Sequence, residues 1–335
     1  MTNMRDLYID NSLISSYQGD TLFDDVYIEH NSLPEINFED IDTKSEIFGK
    51  EISFPLIINA MTGGTERGME INSVLYTIAK ELNLPLAVGS QEDSLDSKIS
   101  ELFIGHIDDD LEKDIVLISN LSAKAKPEEI DRAMKAIDAK GISLYLNAAQ
   151  EAVSYDGDTK CKGVLENISK LTTKYSDNLL IKEKSMGMSE ETIRKLIKAG
   201  VKYIDLSGAG GTNFIEMENL RNYRNDFSDL YSWGIPTAKA IINARNVDKD
   251  VKIIASGGIK TSLDIVKSFV LGADYVGISG EVLRYVLHGG YEQAKSYLNG
   301  LIYKTKVLMF LLGVTDIKEL KNVEYKIIGK LKEII

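Results

Sequence analysis

Eight short runs of apolar and β-branched residues recur along the 335-residue chain, and a helix-compatible stretch follows most of them. The runs are Pro55–Met61, Pro85–Ser90, Asp114–Asn120, Gly141–Asn147, Asn178–Lys184, Tyr203–Gly208, Val251–Gly258 and Ala273–Gly280. Continuous apolar runs are typical of parallel strands that are buried on both faces. The pattern predicts an α/β protein closed as a (β/α)8 TIM barrel, and a doubly wound open sheet is the main alternative.

The segments outside these runs predict how the chain is divided. Residues 1–50 read as an N-terminal extension, residues 51–288 as the barrel, and residues 289–335 as terminal helices. Because no linker, low-complexity stretch or charge block separates them, we predict a single domain over 1–335.

Charge and composition exclude several classes of function. The net charge of −12 and the isoelectric point near 4.9 disfavour binding to nucleic acid, because an acidic protein repels phosphate backbones. Cys161 is the only cysteine, so no internal disulfide and no Cys/His zinc cluster can form. No apolar run has the pattern of a signal peptide or the length of a membrane span, and we expect a cytoplasmic protein without a membrane partner.

Polar residues and glycine-rich loops follow the predicted strands. Ser207-Gly-Ala-Gly-Gly-Thr212 follows the sixth run, Ala255-Ser-Gly-Gly-Ile-Lys260 the seventh, and Gly277-Ile-Ser-Gly280 ends the eighth. In a barrel the ligand binds at the carboxyl ends of the strands, and the last two loops commonly hold a phosphate. These loops predict a phosphorylated small-molecule ligand; tight turns without a ligand are the alternative.

Two further strand ends carry candidate catalytic groups. Lys182 ends the fifth strand, where its ammonium can stabilise the negative charge of a reduced flavin; a salt bridge to a rim carboxylate is the alternative. In Asn147-Ala-Ala-Gln-Glu151, the Gln150 amide can contact a substrate. Glu151 can ligate a hard divalent cation such as Mg²⁺, or it can simply cap a helix.

In this order, the loops resemble those of the type 2 isopentenyl diphosphate isomerases, an FMN-dependent, barrel-folded family related to the FMN-dependent α-hydroxy acid oxidases. The resemblance covers nearly the whole chain. It is carried by Ile58-Asn-Ala-Met-Thr-Gly-Gly64, Asn147-Ala-Ala-Gln-Glu151, Asp205-Leu-Ser-Gly-Ala-Gly-Gly-Thr-Asn-Phe214, Trp233-Gly-Ile-Pro-Thr237 and Ser256-Gly-Gly-Ile-Lys260.

The resemblance implies a cofactor and a set of site residues. FMN is expected to be held by Met61, Thr62, Gly63, Ser90, Asn120, Lys182, Ser207 and Thr212, with Gly257, Gly258, Ile259, Ser279 and Gly280 around its phosphate. Gln150 and Lys182 are the expected catalytic residues, and Glu151 the expected ligand of Mg²⁺. In the family, reduced FMN stacks on the substrate and exchanges a proton with it, NAD(P)H serves to reduce the flavin, and homo-oligomers are common.

The substrate side departs from the family pattern. Family members have an Arg-Lys pair and a following histidine where this chain has Met4, Arg5 and Tyr8. Glu92 stands in place of an arginine, and Tyr145 in place of a histidine. Further changes are Ala209 for an arginine, and Lys184 and Ser185 in a loop that is richer in glycine in the family. The substrate-binding residues we expect are Arg5, Tyr8, Tyr145, Asn147 and Gln150.

Three functions therefore stay open on the sequence. The first is interconversion of isopentenyl and dimethylallyl diphosphate. The second is an FMN-dependent oxidoreductase or isomerase that acts on a substrate without a diphosphate, such as a natural-product precursor. Loss of several charge-assisted phosphate contacts, each worth about 1.5–3 kcal/mol, favours this second function. The third is a flavin-binding protein without catalytic activity.

Overall fold

The computed structural model describes residues 4–16, 19–92, 103, 115–221 and 224–335. The strands in these ranges are β1 (Val26–Ile28), β2 (Ser45–Ile47), β3 (Lys50–Ile52), β4 (Leu56–Ile58), β5 (Leu86–Ala87), β6 (Leu117–Ser122), β7 (Gly141–Tyr145), β8 (Leu179–Lys182), β9 (Tyr203–Asp205), β10 (Lys252–Ser256), β11 (Tyr275–Ile278) and β12 (Tyr325–Ile327). The α-helices are α1 (Met4–Ile14), α2 (Glu66–Glu81), α3 (Pro127–Ala136), α4 (Ala148–Val153), α5 (Val164–Tyr175), α6 (Glu190–Lys198), α7 (Phe214–Asn219), α8 (Thr237–Val247), α9 (Ser262–Val270), α10 (Gly280–Leu312) and α11 (Gly329–Ile334).

Strands β4 to β11 form a closed parallel barrel in chain order, with β11 pairing back onto β4. Each of the eight predicted runs overlaps one of these strands, so the barrel prediction is confirmed and the open sheet is excluded. The start of the third run, Asp114, lies outside the described residues. Strand β6 continues to Ser122, two residues past the predicted end, because it pairs with β7 as far as Tyr145.

The βα units are delimited by the expected local signals. Helix α9 begins after Thr261, whose side chain accepts from the Asp264 amide while the Asp264 carboxylate accepts from the Thr261 amide. The chain leaves that helix at Gly272, whose φ of +110° favours glycine. Between these ends, Ile265 and Phe269 are buried against the barrel. Truncating Phe269 to alanine would cost about 3–5 kcal/mol through the cavity it leaves.

A hairpin of β2 and β3 closes the amino-terminal mouth of the barrel. Ile47 and Ile52 of the hairpin pack into one apolar cluster with strand residues such as Ile57. The Phe48 ring lies 5.0 Å from the Tyr203 ring, and the Tyr275 hydroxyl donates to the hairpin backbone at a distance of 2.5 Å. The hairpin lies at the boundary of the predicted extension, where no strand was predicted.

The two ends of the chain meet on the outside of the barrel. Strand β1 pairs antiparallel with β12, which is a short strand within a segment predicted to be helical. The remainder of that segment is mainly helical, and the 33-residue α10 is kinked at Gly290. Helix α1 packs against α2 and α7. Across the described ranges, no helix combines the length and the apolar character that a bilayer crossing requires. The single-domain boundaries stay a prediction.

Candidate active site

A cavity of about 510 Å³ opens at the carboxyl ends of the barrel strands, where barrel enzymes bind their ligands. Its wall contains every residue predicted to hold FMN: Met61, Thr62, Gly63, Ser90, Asn120, Lys182, Ser207, Thr212, Gly257, Gly258, Ile259, Ser279 and Gly280. Of the predicted substrate residues, it also contains Arg5, Tyr8, Tyr145 and Gln150. Asn147 and Glu151 are not part of this wall.

Lys182 is fixed by a buried carboxylate. Its Nζ atom lies 3.0 Å from Asp205 Oδ2, and the exposed fractions of the two side chains are 11% and 0%. Asn59 Nδ2 donates to the same Asp205 oxygen at 2.8 Å, and Ser256 Oγ donates to the other. The four side chains come from the ends of four different strands, so Asp205 could not be selected as a site residue from local sequence. This arrangement aims one ammonium group into the cavity.

Ser207 has an unusual backbone conformation beside Lys182. Its φ of +40° lies in the left-handed region, which costs a residue with a Cβ atom about 1–2 kcal/mol. The Ser207 hydroxyl lies 3.3 Å from Lys182 Nζ and 3.3 Å from Ser256 Oγ. Strain of this kind persists where the surroundings impose it, and such places are commonly ligand sites.

Glycines that follow Ser207 and Ser256 in two neighbouring loops allow close backbone packing in the cavity wall. A Cβ atom on Gly257 would lie 2.0 Å from the Gly208 carbonyl oxygen, and Gly257 and Gly258 have φ angles of +97° and +80°. The amino terminus of α10 begins at Gly280 in the same wall, with Lys260 close by in the cavity lining. Backbone amides, a helix amino terminus and a cation form a site for a phosphate group. Lys260 belongs to a motif singled out in the sequence but was not predicted as a site residue.

The residues present fit FMN. Thr62 Oγ1 and Asn120 Oδ1 are buried, line the cavity and have no hydrogen-bond partner in the structure. A buried polar atom without a partner is costly, and a ligand with several polar edge atoms, such as an isoalloxazine ring, satisfies it. Lys182 supplies the cation that a reduced flavin requires, and the Gly257–Gly258 loop supplies the phosphate cradle.

Helix α1 covers the cavity and is held there by polar contacts. Arg5 Nη1 donates to the Gly63 carbonyl oxygen at 2.8 Å, and Thr65 Oγ1 donates to Asp6 at 2.7 Å. At the other end of the helix, the Ser15 hydroxyl donates to the buried carboxylate of Glu216. The side chain of Met4 lies outside the described residues.

A hydrogen-bonded network fixes the Gln150 amide beneath α1. Its Nε2 atom donates to Glu218 Oε1 at 2.7 Å and to the Tyr8 hydroxyl at 3.2 Å. Lys184 Nζ donates to Gln150 Oε1 at 2.7 Å, so both ends of the amide are engaged. Arg221 Nη1 lies 2.8 Å from Glu218 Oε2 and pairs with this carboxylate, which is only 1% exposed.

Burial determines the protonation of Tyr8 in this network. Burial, followed by the hydrogen bond to Glu218, raises the pKa of the Tyr8 phenol well above its usual range. The phenol is therefore neutral at physiological pH and donates to the carboxylate. Glu218 and Arg221 were not predicted as site residues, since neither lies in a motif that follows a strand.

Tyr145, which lines the cavity, forms a direct pair with Glu92. The Tyr145 hydroxyl donates to Glu92 Oε2 at 2.8 Å and lies 3.4 Å from Ser90 Oγ. The other Glu92 oxygen accepts from the Ser122 amide at 2.9 Å. Burial, followed by the charge of Glu92, raises the pKa of Tyr145. Two positions where the family resemblance implies cations thus hold a neutral phenol bonded to a carboxylate.

Both oxygens of the Glu151 carboxylate accept hydrogen bonds within its own loop. Its Oε1 atom accepts from Asn147 Nδ2 at 2.5 Å, and its Oε2 atom accepts from the Asp158 amide at 2.6 Å. In the described part of the chain, no group of three His, Cys, Asp or Glu residues is placed to hold a metal ion. The role of Glu151 as a ligand of Mg²⁺ stays a prediction.

Comparison with known proteins agrees with this geometry. The model of the FMN-dependent dehydrogenase family matches residues 109–326. A curated relative named isopentenyl-diphosphate delta-isomerase, from Ignicoccus hospitalis, is 37% identical over 327 residues and covers 94% of this chain and 90% of its own. A relative of the same name from Staphylococcus haemolyticus is 35% identical and covers 92% of this chain and 88% of its own.

Solved structures with much lower identity share the fold. A flavocytochrome b2 variant aligns with a TM-score of 0.69 and 18% identity, covering 98% of this chain and 84% of its own. A putative lactate oxidase from Pediococcus acidilactici aligns with a TM-score of 0.66 and 18% identity, covering 98% and 95%. The cavity and these matches together show an enzyme with FMN as its cofactor. The chain belongs to the FMN-dependent dehydrogenase family, on the branch of the type 2 isopentenyl-diphosphate delta-isomerases.

Proposed function

We propose that the protein interconverts isopentenyl diphosphate and dimethylallyl diphosphate with reduced FMN bound in the barrel cavity. The observation that carries the proposal is that one cavity joins the complete flavin cradle to an amide, Gln150, that is locked on both sides. The curated relatives that cover nearly the whole chain support the same reaction by name. The reaction moves a carbon–carbon double bond by adding a proton at one carbon and removing a proton from another.

Reduced FMN supplies the acid and base chemistry for this double-bond shift when it is bound. Lys182, held by Asp205, keeps a positive charge at the cavity floor, where it stabilises an anionic flavin. Asp205 is a positioning residue because it acts through Lys182 and does not line the cavity.

The residues beneath α1 orient the substrate and keep water away from it. Gln150 presents its amide at a fixed angle, because Glu218 and Lys184 hold its nitrogen and its oxygen separately. A substrate that is held in one orientation beside the flavin loses less entropy when the transition state forms. Helix α1, which is held through Arg5 and Glu216, forms the roof that excludes solvent from the alkene.

Two accessory reagents belong to this proposal. NAD(P)H is the proposed reductant of the flavin and takes no part in the isomerisation. Mg²⁺ enters as the counter-ion of the substrate's diphosphate, with Glu151 as its predicted ligand.

A second candidate is supported by the Tyr145–Glu92 pair. This pair places a carboxylate and a neutral phenol where the family resemblance implies cations, which disfavours a diphosphate and favours a neutral or cationic substrate. The corresponding function is that of an FMN-dependent oxidoreductase or isomerase, in which the Tyr145 hydroxyl contacts the substrate.

A direct assay separates the two functions. The FMN-loaded protein is reduced anaerobically and mixed with isopentenyl diphosphate, with Mg²⁺ and again with EDTA, and dimethylallyl diphosphate is measured. Turnover of at least about 0.1 s⁻¹ supports the isomerase, because this rate is within about 100-fold of the median turnover number of enzymes. A folded, flavin-loaded protein without turnover contradicts it and directs the search to substrates without phosphate. The Tyr145→Phe variant then tests whether turnover of such a substrate depends on the hydroxyl.

We further propose that the enzyme works in the cytoplasm as a homo-oligomer. The single cysteine, Cys161, leaves no disulfide within the chain, which is typical of a reducing compartment, and the family resemblance supports the assembly. Light scattering on the purified holoenzyme tests the assembly: a monomeric mass at micromolar concentration contradicts it.

A further inference from the structure

Lys184 lines the active-site cavity, and no carboxylate in the part of the chain that the structure describes contacts its ammonium group directly. Its Nζ atom lies 4.9 Å from the centre of the Tyr145 ring and 4.8 Å from the centre of the Phe214 ring. Among the described residues, its one hydrogen bond goes to a neutral acceptor, Gln150 Oε1, and no carboxylate oxygen lies within 4.0 Å of it. The side chain lines the cavity, so its remaining N–H groups are available to a ligand.

The groups around Lys184 set its charge balance. Glu151 and Glu218 act on it through space, as does Glu92, and Lys182 opposes them. Burial has the largest effect and lowers the pKa of Lys184 to about 8. The ammonium is thus desolvated, and two aromatic faces hold it in place without neutralising it. An anion that entered the cavity would give this ammonium a charged partner in direct contact.

We propose that Lys184 binds the anionic phosphate head of the substrate and determines the specificity of this enzyme for phosphate esters. The inference rests on the proposed function of the cavity. The proposed phosphate-binding cation, Lys184, lies on the loop after β8, whereas positions 92 and 145 hold a carboxylate and a phenol. Arg5 on the roof helix α1 is a further cation of the same cavity wall. The aromatic faces of Tyr145 and Phe214 restrict the Lys184 side chain, so little rotamer entropy is lost when the anion binds.

The competing explanation is that Lys184 serves only to neutralise the three nearby glutamates. Under that explanation, its removal changes stability but does not selectively weaken the binding of an anion. The binding of three small probe molecules to the FMN-loaded protein, measured by titration calorimetry, distinguishes the two roles without any turnover. The probes are inorganic pyrophosphate, inorganic phosphate and the neutral alcohol 3-methyl-3-buten-1-ol.

The test uses Lys184→Met with Lys170→Met as the matched control. Lys170 is an exposed lysine on α5 that pairs with Glu166, so the control changes the net charge equally. We expect pyrophosphate affinity to fall by about 10- to 100-fold in Lys184→Met and to stay unchanged in the control. Affinity for the alcohol stays unchanged in both variants. If Lys184→Met does not retain FMN, Lys184→Gln, whose amide can still bond to Gln150, takes its place with the same criteria.

Three results overturn the inference. The first is unchanged pyrophosphate affinity in the Lys184 variant. The second is an equal loss of alcohol and pyrophosphate affinity, which shows a reshaped cavity. The third is a wild-type protein that binds neither phosphate nor pyrophosphate. By contrast, Lys184-dependent pyrophosphate binding without isomerase turnover supports the inference and contradicts only the proposed function.

Discussion

Replacing Lys182 by methionine removes one half of a buried ion pair. Asp205, whose side chain has an exposed fraction of 0%, then keeps its donors from Asn59 and Ser256 but loses the contact with the Lys182 ammonium. Leaving a buried charge without its partner costs about 3–5 kcal/mol of folding free energy. An unfolding entropy of about 2.1 cal/mol/K per residue over 335 residues converts this into a decrease in Tm of about 4–7 °C.

The assay follows Tm and the flavin together. We expect Lys182→Met to lower Tm by that amount, to weaken the binding of reduced FMN more than that of oxidised FMN, and to reduce isomerase kcat by at least about 100-fold. The exposed pair of Lys202 and Asp177 provides the control, and Lys202→Met is expected to leave all three quantities unchanged.

A double variant separates stability from chemistry. Lys182→Met combined with Asp205→Asn removes both charges, so part of the lost stability returns, because no buried charge is left unpaired. The kcat stays low, because the flavin still lacks its cation. A single variant with wild-type Tm, wild-type flavin binding and wild-type turnover would refute the placement of the flavin beside Lys182.

Three further predictions concern Glu183, which is buried and lies between Lys182 and Lys184 in the sequence, and the site residues Gly257 and Glu218. Burial raises the pKa of the Glu183 carboxyl group to about 7 from 4.5, so the folded protein binds the carboxyl proton more tightly than the unfolded chain does. This proton binding stabilises the fold fully below pH 4.5, and the stabilisation is lost as the pH rises to about 7. Glu183→Gln should therefore flatten the fall in Tm between these pH values, and an unchanged slope would contradict the raised pKa. Gly257→Ala should abolish FMN binding, because the added methyl group clashes with the Gly208 carbonyl oxygen. The control Gly300→Ala, on the open face of a helix, should leave FMN binding intact and raise Tm slightly. Equal flavin affinity in the two variants would contradict a phosphate site at Gly257. Glu218→Gln should lower kcat/KM about tenfold at unchanged flavin affinity, since it weakens a charge-assisted hydrogen bond to Gln150, and wild-type kinetics would contradict this role.

Local sequence was sufficient for the barrel because burial on both faces leaves its mark on every strand. Each continuous apolar run corresponds to one strand, and the glycine-rich loops lie at one end because all strands point the same way. The limits of the strands were less accurate, because β6 extends only as far as its partner β7 allows. The β2–β3 hairpin was missed, since each of its three-residue strands offers only one apolar residue, Ile47 or Ile52, and these become buried only at the barrel mouth.

The loops that line the cavity were predictable for a similar reason. The residues expected to hold FMN follow strands directly, so they occur in short motifs such as Gly257–Lys260 and line one cavity wall. Four of the five predicted substrate residues also line that wall, but the hydrogen bonds between them were not predictable, because they join distant positions. Tyr8, Gln150 and Glu218 come from three helices separated by many residues, and only closure of the barrel brings them within hydrogen-bonding distance.

Patterns along the chain were enough to predict the fold, the cofactor and the altered family positions. What the altered positions do depends on contacts that form only in the folded protein. Glu92 and Tyr145, two unrelated changes along the chain, are hydrogen-bonded to each other, and Lys184 lies over the Tyr145 ring. Apolar periodicity and turn chemistry depend on residues that are close together in the sequence. The charge balance of a cavity, by contrast, is set by side chains that meet only in the folded protein.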